Sequence, residues 1–261
     1  MSDILFYIYI IISSTIIYLY LHFKTHIRWL FIYVDNVIVI LITSIIYHLF
    51  KFSNILSIFI LPPITLLLAF TIAMIRFWRT PNRKLPKGEN IIVSPADGNV
   101  IYIKKIEAHT TPISVKNGTI SSLDEITKTN LLDTPCWLVG INMTPFDVHK
   151  NCAPIEGKIT LQKHTFGKFL SLKEWLSETE NERNTFVIEN DKLKIGVVQI
   201  ASKKVRRIDA YAKEGDLVKQ GQWIGMIKLG SQVDVILPIS CKIKVKIGEQ
   251  IFAKKSVLAK F

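Results

Sequence analysis

The sequence predicts a mainly β domain with few helices, preceded by N-terminal transmembrane helices. Three observations carry that expectation. Apolar residues crowd into the first 76 positions. The rest breaks into short Val- and Ile-rich runs that stop at Gly, Pro, Asn or Asp. Only one amphipathic helix, around Ser171–Glu180, is expected beyond the anchor. The chain has 261 residues of which 49% are hydrophobic. Its mean hydropathy of +0.30 is high for a chain that meets only water.

Three runs make up the anchor. Ile4–Leu21 holds no charge, Leu30–Phe50 is interrupted by Asp35 and Asn36, and Ile55–Ile75 is the third. At ~1.5 Å per residue, about 20 residues cross a ~30 Å hydrocarbon core. Three such runs leave almost no polar face for water, which argues against buried helices of a soluble core. Met1-Ser2-Asp3 offers no basic start, so a secretory signal is not expected. Lys24 and Arg28 follow the first run, Lys51 alone separates the next two, and Arg76, Arg79, Arg83 and Lys84 follow the third. Three spans with the richer basic clusters inside make a multi-pass protein of the cell (inner) membrane with a cytoplasmic C-terminal domain. Asp35 shortens the second run and Pro62-Pro63 is expected to kink the third, so two spans or a shallow hairpin is the alternative.

The net charge is +12. Scattered lysines beside an anchor point to an anionic lipid surface as partner, and their lack of clustering argues against nucleic acid. Cys136, Cys152 and Cys241 are singletons, which suits reduced thiols. With His109, His149 and His164 they show no ligand spacing, so no metal is expected.

Past the membrane exit at Arg76–Lys87, strands are expected at NIIV, NVIYIKKI, CWLVGINM, GKITLQK, TFVIEN, KLKIGVVQIA, RRIDAYA, WIGMIKL, QVDVILP and CKIKVKI. Residues 1–76 thus form the anchor and 77–261 one β domain. Two weak internal similarities stand out. EGDLVKQGQWIG (Glu214–Gly225) resembles IGEQIFAKKSVL (Ile247–Leu258), and ADGNVIYIKK (Ala96–Lys105) echoes IEGKITLQK (Ile155–Lys163). Paired hairpins of this kind build barrel-sandwich, lipoyl-like folds.

Three stretches could carry chemistry. Ser94-Pro95-Ala96-Asp97-Gly98 is a tight turn bearing one carboxylate, and alone reads as an ordinary β-turn. Phe146-Asp147-Val148-His149-Lys150-Asn151 leads into Pro154–Gly157, and a lone loop histidine is commonly structural. Leu229-Gly230-Ser231 before Gln232-Val233-Asp234 says little by itself. Together, in this order, they resemble the short-form phosphatidylserine decarboxylases over nearly the whole chain. Further shared features are Phe77-Trp78-Arg79-Thr80-Pro81 at the membrane exit, Asn181-Glu182-Arg183, and Gln199–Ile208.

The resemblance implies a proenzyme that cuts itself between Gly230 and Ser231 into a β chain (1–230) and an α chain (231–261). A serine hydroxyl needs a base within reach, and His149 can serve near neutral pH. The resemblance assigns Asp97 to orienting and stabilising the imidazolium. Ser231 Oγ attacks the Gly230 carbonyl, where glycine removes a Cβ that would crowd the approach. The resulting ester loses the Ser231 α-proton and expels the Gly230 carboxylate. The dehydroalanine left behind takes up water, releases ammonia and becomes a pyruvoyl group. That cofactor is an electron sink for decarboxylating the phospholipid substrate phosphatidylserine to phosphatidylethanolamine. Longer relatives carry a second histidine three residues after the first. This chain has Cys152 there, so His149 is expected to serve both steps. Nothing near Cys152 marks a reactive thiol. Arg183 reads either as a contact for headgroup phosphate or as half of a surface ion pair.

Rival readings are a membrane-anchored carrier or adaptor domain, and a serine hydrolase. The first lacks a hairpin-tip lysine motif and a long helical hairpin, the second a G-x-S-x-G elbow. Both predict an intact chain. The residues do not distinguish ester from ether serine lipids, and the ester is the commoner substrate. Oligomeric state is equally unreadable, a homodimer being the assembly that fits membrane-bound β-rich enzymes.

Overall fold

The structure is a computed structural model that describes residues 3–25, 28–50, 54–107, 135–167, 181–201, 207–228 and 231–261. The helix expected at Ser171–Glu180 lies outside them. The chain divides into two compact units, Met1–Arg79 with Thr144–Phe146, and Thr80–Met143 with Asp147–Phe261.

The first unit holds three helices, α1 (Asp3–Thr25), α2 (Trp29–Phe50) and α3 (Asn54–Trp78). Each is long and apolar enough to cross a membrane. Their polarity is inverted relative to a water-soluble bundle. Ser14, Asp35, Asn36, Thr43, Ser57 and Thr65 are buried, while Ile4, Ile16, Leu49, Phe59, Leu67 and Phe70 are exposed. Inward polar groups find partners: Ser14 Oγ donates to Asn36 Oδ1, whose amide donates to Thr15 Oγ1. The Arg76 guanidinium forks onto both oxygens of Asp35. α3 runs as one helix through Pro62-Pro63, the position where a kink is expected. A proline cannot donate to the carbonyl four residues back. The Ile58 carbonyl, orphaned by Pro62, instead accepts a 3.1 Å hydrogen bond from the Tyr9 hydroxyl. Phe146 is buried with Tyr18, Val39 and Ala69 in this unit, and its carbonyl accepts from Arg79 Nη1 at 2.8 Å.

The second unit is β throughout: β1 (Ile91–Val93), β2 (Gly98–Ile106), β3 (Cys136–Met143), β4 (Lys150–Cys152), β5 (Gly157–Thr165), β6 (Arg183–Glu189), β7 (Lys194–Ala201), β8 (Ile208–Ala210), β9 (Leu217–Val218), β10 (Trp223–Ile227), β11 (Ser231–Pro238), β12 (Lys242–Ile243), β13 (Gln250–Ile251) and β14 (Val257–Lys260). Alternating apolar residues place Val100, Val139, Ile141, Phe186, Ile188, Val197, Val233 and Val235 in one large core.

These strands form an eight-stranded sheet in the order β13-β2-β3-β11-β7-β6-β5-β9, and two three-stranded sheets, β1-β14-β12 and β4-β10-β8. The pattern repeats. β2 and β5 each start at a glycine, each slip register two residues later against the next strand, and each pair on the outer side with a two-residue strand. Val100 N–H donates to Glu249 O as Ile159 N–H donates to Asp216 O, both at 2.9 Å. Lys254 N–H donates to Ser94 O as Gly221 N–H donates to Ala153 O. The similarities seen between Glu214–Gly225 and Ile247–Leu258, and between Ala96–Lys105 and Ile155–Lys163, are therefore two halves of one repeated architecture. β11 and β7 meet at its centre.

Glycine is required where each half closes. A Cβ on Gly98 would lie 2.3 Å from Asn142 O, and one on Gly157 would lie 2.4 Å from Glu189 O. Those contacts are with backbone, which cannot swing aside. Gly157→Ala is therefore expected to cost about 2–4 kcal/mol of stability, read as a lowered melting temperature; unchanged melting would contradict the close approach. Within the helical unit, Arg76→Met strands a buried carboxylate and is expected to cost about 3–5 kcal/mol, most of it regained in Asp35→Leu/Arg76→Met. Unfolding in detergent micelles measures both, and equal stability of single and double variants would argue against the pairing.

Candidate active site

The Ser94–Gly98 turn is closed by its own side chain, because Ser94 Oγ donates to Ala96 O at 2.7 Å. It is then stitched to neighbouring strands. Pro95 O accepts from Cys152 N–H, and Ser94 O accepts from Lys254 N–H and the Cys152 thiol. The turn thus carries Asp97 into the protein, where its side chain is 1% exposed. A buried carboxylate needs donors. Oδ1 accepts from Ala253 N–H at 2.8 Å, Oδ2 from Val148 N–H at 3.3 Å, and Arg83 forks onto both oxygens. Asp97 therefore meets the backbone of the residue before His149.

His149 is fully buried, just ahead of β4. Its Nδ1 lies 3.0 Å from the Asp147 carbonyl oxygen. A carbonyl only accepts, so that bond places the proton on Nδ1 and the lone pair of the neutral ring on Nε2. The His149 carbonyl accepts from Ile227 N–H at 3.1 Å. Four residues after Ile227 comes Ser231, the first residue of β11, opposite Met143 on β3 and Ala201 on β7. Leu229 and Gly230 lie outside the described residues, as does the Ser231 side chain. The backbone brings the three candidates to one end of the central strands. Gly98 rests on Asn142, Asn142 adjoins Met143, and Met143 begins the connection to His149.

Several supporting residues were not read from the sequence. Arg83 is one. A second is a chain of amides beneath β4, each buried or half-buried. Gln199 Nε2 donates to Asn151 Oδ1 at 2.7 Å, Asn184 Nδ2 to Gln199 Oε1 at 3.0 Å, and Gln162 Nε2 to Asn184 Oδ1 at 2.5 Å. A third lies directly after Ser231. Tyr102 hydroxyl reaches both oxygens of Asp234 at 2.7 Å, and Gln232 Nε2 donates to Asp234 Oδ1 at 2.8 Å. Alternation along β2 and β11 could have suggested this cluster, since Tyr102, Gln232 and Asp234 interrupt apolar strands with polar groups.

Asp147 is also buried, and Gln250 Nε2 donates to its Oδ1 at 3.3 Å. The Cys152 thiol is pushed up to about 12 by burial, which the Lys254 backbone and the Lys254 and Arg83 cations only partly oppose. It is a packed, protonated group. Asp209 on β8 pairs with Arg207 and Lys228: burial pushes its carboxyl up, but Lys228 and Arg207 outweigh that and hold it below the ordinary carboxylate range. Arg183 is not at the surface, where an ion pair was one of its two readings. Arg183 is fully buried with Nε donating to Asn181 O, while Glu182 lies 3.0 Å from His164.

The sequence matches a known family. Residues 70–259 match the phosphatidylserine decarboxylase family. A protein of Methanocaldococcus jannaschii, provisionally named an archaetidylserine decarboxylase proenzyme, is 44% identical over 193 residues, which cover 74% of this chain and 90% of the relative. A second such protein, from Methanothermobacter thermautotrophicus, is 37% identical over 75% of this chain and 84% of its own length. The phosphatidylserine decarboxylase proenzyme of Syntrophus aciditrophicus is 38% identical over 71% of this chain and 78% of its own length. By extent and identity alike, the chain belongs to the phosphatidylserine decarboxylase family.

Proposed function

We propose that the protein is a membrane-anchored proenzyme that cuts itself between Gly230 and Ser231 and then decarboxylates phosphatidylserine to phosphatidylethanolamine. The observation that carries this is the convergence of Asp97, His149 and the start of β11 within a chain of this family.

His149 Nε2 is the base that takes the Ser231 hydroxyl proton, with Nδ1 held on the Asp147 carbonyl so that the lone pair stays on the reacting nitrogen. Asp97 supplies the negative charge beside the developing imidazolium and fixes the backbone at Val148. After the cut, residue 231 heads a strand paired on both sides with β3 and β7. A pyruvoyl group there fits, because those ladders hold the backbone of residue 231 at the start of β11. Bound there, it supplies an electron sink for the pair released as carbon dioxide leaves. His149 then returns a proton to the substrate carbon, serving both steps because the residue three positions on is Cys152, a buried thiol and not a second imidazole.

The inverted polarity of α1–α3 supports membrane insertion: outward apolar side chains and inward polar ones suit lipid. The basic residues at the helix ends favour a cytoplasmic β domain on the inner membrane, facing anionic lipid. The repeated halves of the β unit support a barrel-sandwich fold of lipoyl-like hairpins. A homodimer belongs to the same reading.

A second substrate, archaetidylserine, is favoured by the identity to two archaeal proteins. Both lipids present the same serine headgroup. Detergent-solubilised protein offered each lipid in mixed micelles should form the ethanolamine lipid from phosphatidylserine, followed by mass. Turnover of the ether lipid alone would move the assignment to the second reading. Ser231→Ala and His149→Ala should each lower turnover by at least ~10³-fold and leave the chain uncut. An uncut Ser231→Ala that still decarboxylates either lipid contradicts the proposal.

A further inference from the structure

Arg83 lies in the extended segment before β1, with 16% of its side chain exposed. Its Nη2 donates to Asp97 Oδ2 at 2.8 Å, and Nη1 donates to Asp97 Oδ1 and to the Ala253 carbonyl at 3.0 Å. Its guanidinium carbon sits 5.6 Å from the centroid of the Phe252 ring. Asp97 in turn accepts the N–H groups of Ala253 and Val148. One fork therefore joins the segment before β1, the Asp97 turn, the backbone leading to His149, and residues 252–253. The last of these lie beyond Ser231.

The repeated architecture supplies an internal comparison. Glu156, ahead of Gly157, occupies the place that Asp97 takes ahead of Gly98. Glu156 is exposed, and its carboxylate forms no ion pair among the described residues. Gln220 stands where the other half has Ala253, and its amide donates to Ile91 O and Pro154 O. The same turn thus closes in the second half without an arginine. The Arg83–Asp97 fork is peculiar to the half that starts at β1, and through Val148 it reaches His149, which stands just ahead of β4, the other half's counterpart of β1.

We propose that Arg83 is a positioning residue for self-cleavage: it orients the Asp97 carboxylate and, through it, fixes the His149 backbone against residues 252–253. This rests on the cleavage reading given under Proposed function. Arg83 touches neither Ser231 nor the substrate in this account. It acts because a buried carboxylate without a cation is costly and would move from this position. The bidentate geometry also fixes direction, which a lysine ammonium cannot do.

The test is the rate at which fragment 231–261 appears in full-length chain freshly synthesised into lipid nanodiscs. Arg83→Ala should slow it by about 10- to 100-fold, and Arg83→Lys should fall between that variant and the parent. Guanidinium at low, non-denaturing concentration should restore much of the Arg83→Ala rate, since the partly exposed site can admit it. Cleavage of Arg83→Ala at the parental rate overturns the proposal. So does slow cleavage that neither lysine nor guanidinium improves, which is the signature of a purely structural role. Should Arg83→Ala fail to fold, Arg83→Lys decides, and the parental rate in that variant overturns the proposal. An uncut parental chain overturns the cleavage reading itself and is told apart by that.

Discussion

The buried carboxylate of Asp97 is the constraint on which the rest of the site depends. Taking a carboxylate out of water is tolerable only if its lone pairs meet donors, and here they meet two backbone N–H groups and a guanidinium. Those donors come from segments far apart in sequence. Satisfying one charge therefore sets the positions of the Val148–His149 backbone, the Ala253 backbone and the segment before β1. The turn that delivers Asp97 is itself fixed by Gly98, which rests on the Asn142 carbonyl at a distance that excludes a side chain. Charge, turn and strand are thus one arrangement.

Strand pairing would let the chain be cut internally and stay whole. Residues 231–261 contribute β11 to the centre of the large sheet, β13 to its edge, and β12 and β14 to a small sheet with β1. Each of these strands pairs with at least one other, and β1, β2, β3 and β7 all lie before position 230. A break before Ser231 would leave these ladders and the apolar core around Val233 and Val235 in place. The two-fold repetition adds a contrast. Both halves use the same glycine turn and the same hairpins, yet one supplies the buried acid with its arginine fork and the other, just ahead of β4, the histidine.

Much of this was legible in the residues, and what was not has physical reasons. CWLVGINM gave the limits of β3 because its apolar run is bounded sharply by Pro135 and Thr144. Asp97 and His149 were found through motif order, since composition alone made each an ordinary loop residue. β4 escaped notice because Lys150-Asn151-Cys152 has no alternation; it is a strand because β10 pairs with it and Gln199 satisfies Asn151. Arg83 read as one more basic residue at a membrane exit, since its fork is made by tertiary contacts with no local signature. Pro62-Pro63 read as a kink from local rules, which cannot foresee that Tyr9 would satisfy the Ile58 carbonyl. Arg183 read as a surface residue because nothing local announces a buried guanidinium.

The central claim is that β11 begins at a self-made chain end. Intact mass measurement of the purified, denatured protein tests it most directly. The account predicts two polypeptides, one ending at Gly230 and one spanning positions 231–261 with its N-terminus blocked as a pyruvoyl group. A single full-length chain with serine intact at position 231 would contradict it.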